Sequence, residues 1–409
     1  MQSASITGFV ILSWLFVVAA PAATLADAAS ERPDAKPNGH PGVPVIEVPS
    51  GSQHACVIRH VVVYDEPGRY AGWPANGGFW MWGNEMAVAF ECGWFKDRPD
   101  AADGHARDKD RPNEDIVARS TDGGLTWTHR KYDILGKDDN LQPATGSIDF
   151  THPNLAMKFQ GNRFYYSYDR ARTWIGPFRL RISGFPESQD RLQSRTCYIV
   201  NGKHDCFLLP GVEPKGAEDL SFCARTTDGG KTFRFLGWIS PDPKQAPRYE
   251  RWLVYSAVRL SDNHLVAALR RKINQRTDSV RRLNWIDLYE SSDNGKRWRF
   301  LSKVGDTDVV NSDHNGNPPS LLRLRDGRLC VTHRFRGKPF VMCTKLSRDN
   351  GRTWTKPVIL RGGARNWDFG YSRSLQRPDG KVVTVYYFAT PEHRNQFIAE
   401  TIWNPDMVE

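Results

Sequence analysis

The chain has 409 residues, 39% hydrophobic and 25% charged, enough for one large core or two ordinary ones. A mean hydropathy of −0.56 excludes a multispan membrane protein, and 14 Trp, 13 Tyr and 20 Phe exclude a largely disordered chain. Lys and Arg number 56 against 46 Asp and Glu, a formal charge of +10 that favours anionic partners without selecting one. Residues 9–20 (FVILSWLFVVAA) form an apolar run short for a bilayer span, followed by PAATLADAAS with Ala26 and Ala28 in an A-x-A arrangement. This pattern predicts a signal peptide over residues 1–28 and a secreted or periplasmic protein. No Lys or Arg precedes the run, so an uncleaved N-terminal anchor is the alternative. Residues 29–50, rich in Pro, Ala and polar groups, predict a linker. No later segment predicts a membrane span, so no stable membrane insertion is expected.

Internal repeats dominate the rest. Four segments share one pattern: Ser120-Thr-Asp122-Gly-Gly124-Leu-Thr-Trp127, Thr226-Thr-Asp228-Gly-Gly230-Lys-Thr-Phe233, Ser291-Ser-Asp293-Asn-Gly295-Lys-Arg-Trp298 and Ser347-Arg-Asp349-Asn-Gly351-Arg-Thr-Trp354. An Asp that accepts turn amides, a Gly that supplies positive φ and an aromatic that pins the turn describe a tight hairpin. Successive aspartates lie 106, 65 and 56 residues apart, so the first gap has room for a unit without the motif. Strand–turn–strand patterns recur at Gly83-Asn84, Gly161-Asn162, Asn201-Gly202, Asp262-Asn263, Asp326-Gly327 and Asp379-Gly380. Six hairpins and no sustained helical period predict an all-β, six-bladed β-propeller over residues 51–409, with residues 397–403 and the run after Cys56 sharing the closing blade. A β-sandwich is the rival, but two packed sheets do not explain six similar units. The seven cysteines show no C-x-x-C or zinc-like spacing. Buried thiols and bridges fit the pairs Cys197/Cys206 and Cys330/Cys343 equally well, and no metal or cofactor is expected. No basic stripe accompanies a DNA- or RNA-binding motif, so no nucleic-acid partner is expected. A monomer is expected.

The four S/T-x-D-x-G-x-x-W/F segments resemble the Asp boxes of the sialidase (neuraminidase) superfamily, also called BNR repeats. The resemblance covers nearly all of residues 56–405 and implies a site at the mouth of the central channel. It implies three arginines clamping a substrate carboxylate, a tyrosine nucleophile paired with a glutamate, and an aspartate as acid/base. Those types suit the chemistry: a guanidinium binds a carboxylate bidentately, and a phenol attacks where a second carboxylate would be repelled.

Gly370-Tyr371-Ser372-Arg373-Ser374-Leu375 before Asp379-Gly380 is similar to the hairpin that carries the family's tyrosine, which assigns the nucleophile to Tyr371. The alternative for Tyr371 is a strand aromatic of the core. Asp108, twelve residues before Ser120, matches the acid; its bland counterpart is a solvated loop. Arg69, Arg270 and either Arg334 or Arg336 match the clamp, although R-Y-A-G-W-P replaces the family's F/Y-R-I-P. The family's glutamate position reads Trp252-Leu-Val-Tyr255 with no acid. Glu250 and Glu85 are the candidate substitutes. Asp368 and Arg373 flank Tyr371, and strand alternation places Tyr371 and Arg373 on one face. His152, in Asp149-Phe-Thr-His152, is either a channel base or a turn residue. The implied activity is exo-hydrolysis of a terminal acidic sugar from an anionic glycan. A uronate lyase using His152 or Tyr371, and a non-catalytic carbohydrate-binding propeller, are the alternatives.

Overall fold

The computed structural model describes residues 45–97, 105–132, 141–274 and 282–409; the expected signal peptide and most of the expected linker lie outside them. The described residues form six separate sheets, one for each predicted hairpin, in an all-β propeller-like fold. The first joins Arg69–Gly72 and Gly78–Trp82 to Glu85–Trp94, Glu114–Ser120 and Thr128–Tyr132. The second comprises Ala156–Gln160, Arg163–Ser167 and Ile175–Arg179; the third is centred on Tyr198–Gly202, Asp205–Leu208, Leu220–Thr226 and Phe233–Trp238. The fourth runs Glu250–Ser261, His264–Asn274, Arg282–Ser291 and Arg299–Asp306, and the fifth Ser320–Arg323, Leu329–Phe335, Val341–Ser347 and Val358–Arg361. The sixth takes Gly370–Gln376, Val382–Phe388 and Phe397–Trp403 from one end of the chain and Val57–Tyr64 from the other, joined antiparallel.

Second strands such as VVTVYYF and LCVTHRF are buried at every position, as expected where a neighbouring sheet covers each face. Apolar clusters link sheet one to six, six to five, five to four, and one to two, while the largest spans two, three and four. The ring is therefore closed. The last residues of the expected linker are anchored to it: Ile46 packs against Phe335, Val341 and Ile359, and the Glu47 carboxylate meets Lys345 Nζ at 2.7 Å. All seven cysteines are free thiols in buried positions. Among the described residues no helix is long and apolar enough to cross a membrane.

The repeated turn recurs in one geometry. In Ser347–Trp354, the Ser347 hydroxyl accepts from Gly351 N at 2.8 Å and donates to Asp349 Oδ1 at 2.8 Å. Asp349 Oδ1 also accepts the amides of Arg352 and Thr353 at 2.9 Å. Gly351 has φ 92°, and a Cβ there would lie 2.6 Å from Leu288 of the preceding sheet, so the turn docks backbone-first. A fifth copy, which the sequence pattern did not predict, fills the first long gap: Ser167-Tyr-Asp169-Arg-Ala171-Arg-Thr173-Trp174. Ser167 accepts from Ala171 N at 2.9 Å, and Asp169 accepts from Arg172 N and Thr173 N at 2.9 and 2.8 Å. Ala171 stands where the other copies have Gly, yet holds φ 60°, and it is fully buried against the first sheet.

These turns titrate. Partial burial pushes the Asp122, Asp169 and Asp349 carboxyls up, but the Thr and Ser hydroxyls and turn amides outweigh it and hold them at about 2, against 3.8 when free. A depressed carboxyl contributes stability that is complete above its unfolded value and is lost as pH falls through the folded one. The melting temperature of the wild type will therefore fall more steeply between pH 3.8 and about 2 than that of a variant carrying Asp122→Asn, Asp169→Asn and Asp349→Asn. Parallel slopes would remove the three turns as the source of acid sensitivity.

Candidate functional site

Tyr371 opens the innermost strand of the closing sheet, at an irregularity in the pairing between Gly370 and Arg373. Its φ is 51°, a left-handed conformation that a bulky residue adopts only under constraint, and one that clusters at functional sites. The bulge aims the phenol into a cavity of about 370 Å³. Arg270 Nη1 donates to the Tyr371 hydroxyl at 3.3 Å. Arg195, Arg251 and Arg336 line the same cavity, as do Tyr255 and Asp219.

Alternation explains much of this set. Arg251, Leu253 and Tyr255 recur at period two along Glu250–Ser261 and reach the cavity, whereas Trp252 and Val254 enter the apolar core. Arg270 pairs with Leu253 on the next strand and shares its face. The charges are only partly compensated. Arg251 is held by Glu218 at 2.7 Å and Asp219 at 2.9 Å. The Nε atoms of Arg195, Arg270 and Arg336 are buried without a hydrogen-bond partner. Burial pushes the Tyr371 phenol up, but Arg270, then Arg336, Arg195 and Arg251, outweigh it and hold the phenol below its ordinary 10.0. The reciprocal effect appears on Arg270, where burial opposes the charge and Tyr371 and Tyr255 raise its pKa.

A second device faces the same cavity. His105 Nδ1 lies 2.6 Å from Asp368 Oδ1. Asp368 is 2% exposed and also accepts from Tyr387 at 2.7 Å, Gln396 Nε2 at 3.1 Å and Tyr70 at 3.2 Å. Burial pushes this carboxyl up, yet His105, Tyr387 and Arg336 keep it below the ordinary value, so Asp368 is an anion that fixes the imidazole. With Nδ1 so engaged, Nε2 is left for a ligand. Trp73 stands edge-on to the His105 ring at 4.8 Å, and Trp367 lies between His105 and His314, at 5.6 and 4.7 Å.

Several expected site residues are placed elsewhere. Arg69 alternates with Tyr70 onto the other face of its strand, where it meets Glu114 at 2.6 Å and the Trp94 ring. Arg334 is fully buried behind Tyr371 and donates to Trp367 O at 2.7 Å; Arg336, two residues on with the same parity, is the one at the cavity. Arg373 and Tyr371 both reach the short helix Pro74–Gly77, in keeping with alternation, but Arg373 is used there, donating to Ala75 O at 2.8 Å and Thr196 O at 2.7 Å. Glu250 has the parity of Trp252 and pairs with Arg271 at 3.0 Å, away from the phenol. Glu85 sits at the hairpin end of its strand, held by Arg119, Arg170 and Arg172 at 2.6–2.7 Å. Asp108 lies on a loop facing Lys96 at 3.5 Å and does not line the cavity. His152 lies tilted against the Tyr168 ring at 4.4 Å and accepts from Asn154 N, as a turn residue does. Of the expected residues, Tyr371, Arg270 and Arg336 meet at the cavity, with Asp368 behind His105. Arg195, Arg251, Tyr255 and Asp219 belong to no sequence motif. Among the described residues no cluster of three or more His, Cys, Asp or Glu side chains could hold a metal.

An ultraviolet titration of wild type against Tyr371→Phe will show one phenol ionising below 10.0 that the variant lacks. Arg270→Gln will move it upward. Identical curves for wild type and Tyr371→Phe in this range would overturn the electrostatic account.

Comparison with solved structures gives the same architecture. A protein of unknown function from Dyadobacter fermentans is 18% identical, with 85% of this chain and 98% of that one aligned at a TM-score of 0.59. The α-L-arabinanase of Penicillium chrysogenum is 12% identical over 86% of this chain and 99% of its own, at a TM-score of 0.54. A Hadza microbial sialidase is 13% identical over 80% of this chain and 64% of its own, at 0.50. At such identities the likeness establishes the fold alone. No curated protein matches the sequence. The BNR repeat-like domain family matches residues 152–384, more than half of the chain. With that match and a fold shared with sialidases, the chain belongs to the BNR repeat-like family.

Proposed function

We propose that this protein is an exported glycoside hydrolase that removes a terminal acidic sugar from a glycan. In this reading each of the six sheets is one blade of a six-bladed propeller, and the five repeated turns are its Asp boxes. The observation that carries the reading is the Tyr371 phenol, 3.3 Å from Arg270 in a cavity that Arg195, Arg251 and Arg336 also line. Buried guanidinium donors without partners suit a carboxylate, which they bind by charge-assisted hydrogen bonds. The same four groups favour the phenolate, and so replace the glutamate that the sialidase resemblance calls for.

The Tyr371 phenolate attacks the anomeric carbon, and the bond to the glycosidic oxygen breaks. His105, held by Asp368, gives its proton to that oxygen. Water then attacks the anomeric carbon, His105 takes the water's proton, and the phenolate leaves. In place of Asp108, the acid/base is His105.

A lyase acting on a uronate is the second reading, favoured by the His105–Asp368 pair at 2.6 Å, a proton-transfer couple on the same cavity as a phenol. There His105 or Tyr371 would remove the proton next to a carboxylate neutralised by arginines, and the glycosidic oxygen would leave protonated. Incubation with sialylated and uronate-containing glycans separates the two. A hydrolase releases a saturated acidic sugar; a lyase releases an unsaturated uronate that absorbs in the ultraviolet. His105→Ala will lower kcat by about 10²–10⁴-fold, the usual worth of a positioned acid/base, and Tyr371→Phe will abolish turnover. Activity that survives Tyr371→Phe would overturn both readings, and binding without any turnover would leave a carbohydrate-binding propeller.

A further inference from the structure

The cavity at Tyr371 has a neighbour with which it shares lining residues. A second chamber of about 330 Å³ lies between sheets one and two and shares Asn76, Gln193 and Arg195 with the first. Both volumes lie near the low end of the range for small-molecule sites, roughly 300–1,000 Å³. The chemistry of the two differs. The first sets four guanidinium groups and a phenol against the carboxylates of Glu213, Asp219 and Asp313, leaving one positive charge in excess, whereas the second sets Glu91 and Asp115 against Lys158 and Arg195, so its formal charges cancel.

The second chamber holds polar atoms whose hydrogen bonds are not completed by the protein. Asp115 is 7% exposed, and its Oδ2 is ion-paired with Lys158 Nζ at 3.6 Å, too long to complete a hydrogen bond. Asn76 Oδ1, on the shared wall, also lacks a donor, and Arg195 Nε lacks an acceptor. Burial pushes both acids up, Asp115 against the pull of Lys158, and Glu91 with the nearby Asp115 acting in the same direction. Two open acceptors and one open donor in a chamber of cancelling charge match a hydroxyl-bearing neutral ring better than a second anion. An anion would meet Asp115 and Glu91, and a cation would meet Lys158 and Arg195.

We propose that this chamber is a subsite for the sugar next to the acidic one: a neutral residue of the same glycan, donating hydroxyls to Asp115 and Asn76 and accepting from Arg195. The proposal rests on the acidic-sugar reading above and adds to it that the ligand unit is at least a disaccharide. Arg195, on the wall common to both chambers, then contacts both rings.

Calorimetry with four probes tests this: free glucuronic acid and free N-acetylneuraminic acid, and each of them joined through sulfur, which resists hydrolysis, to a neutral hexose. Wild type will bind at least one linked probe about tenfold or more tightly than its free acid, a gain of about 1.4 kcal/mol. Gln160→Trp, made at an exposed strand end that lines the second chamber, will abolish that gain and leave the affinity for the free acid unchanged. Asp115→Asn, which keeps the shape of the wall, will reduce the gain without touching the free acid. Equal affinity of wild type for free and linked probes, or a full gain persisting in Gln160→Trp, would overturn the subsite while leaving the acidic-sugar reading intact. Failure of every probe to bind wild type would overturn both.

Discussion

Four guanidinium groups around one phenol repel one another, and the structure is organised around making that arrangement tolerable. Arg251 is neutralised by Glu218 and by Asp219, which itself lines the cavity. Arg195, Arg270 and Arg336 are not fully paired, and all three favour ionisation of the Tyr371 phenol, which answers Arg270 most directly. Burial strengthens each of these interactions by lowering the local dielectric and leaves each unmet donor more costly. On the proposed reading, a carboxylate entering the site would complete hydrogen bonds that the protein leaves open.

Such a cluster survives only on a rigid frame, and the ring of sheets supplies it. Each repeated turn docks on its neighbour through a left-handed backbone position that carries no side chain or, at Ala171, only a methyl. Strands from near both ends of the described residues share one sheet, which fixes the strand that carries Tyr371. Arg334 and Arg373 serve this frame. Arg334 lies fully buried behind the phenol, and Arg373 ties the helix carrying Asn76 to the segment carrying Arg195. Both are charges spent on positioning the cavity walls.

Much of this was legible in the chain. The hairpin turns and the Asp-bearing repeat predicted six sheets because tight turns impose local residue types whatever surrounds them. The fifth turn escaped because Ala171 breaks the pattern: packing against the first sheet, a tertiary effect, holds an alanine at φ 60° where the sequence rule asks for glycine. Tyr371, Arg270 and Asp368 stood in recognisable local settings. Glu250, Glu85 and Asp108 stood near the right places too, but a shift of one residue, or the opposite end of a hairpin, sends a strand side chain to another surface.

The sequence by itself determined the repeat, the all-β class and the hairpin that bears the tyrosine, since each is written in contacts only a few residues apart. Which arginines converge was decided by tertiary structure alone. Arg195, Arg251, Arg270 and Arg336 come from separate strands and a crossing segment. Their meeting with Tyr371 and with His105 depends on strand parity, on a bulge at Gly370 and on the order of sheets around the ring. None of these is encoded within a short window, because each is a relation between segments brought together only when the ring closes.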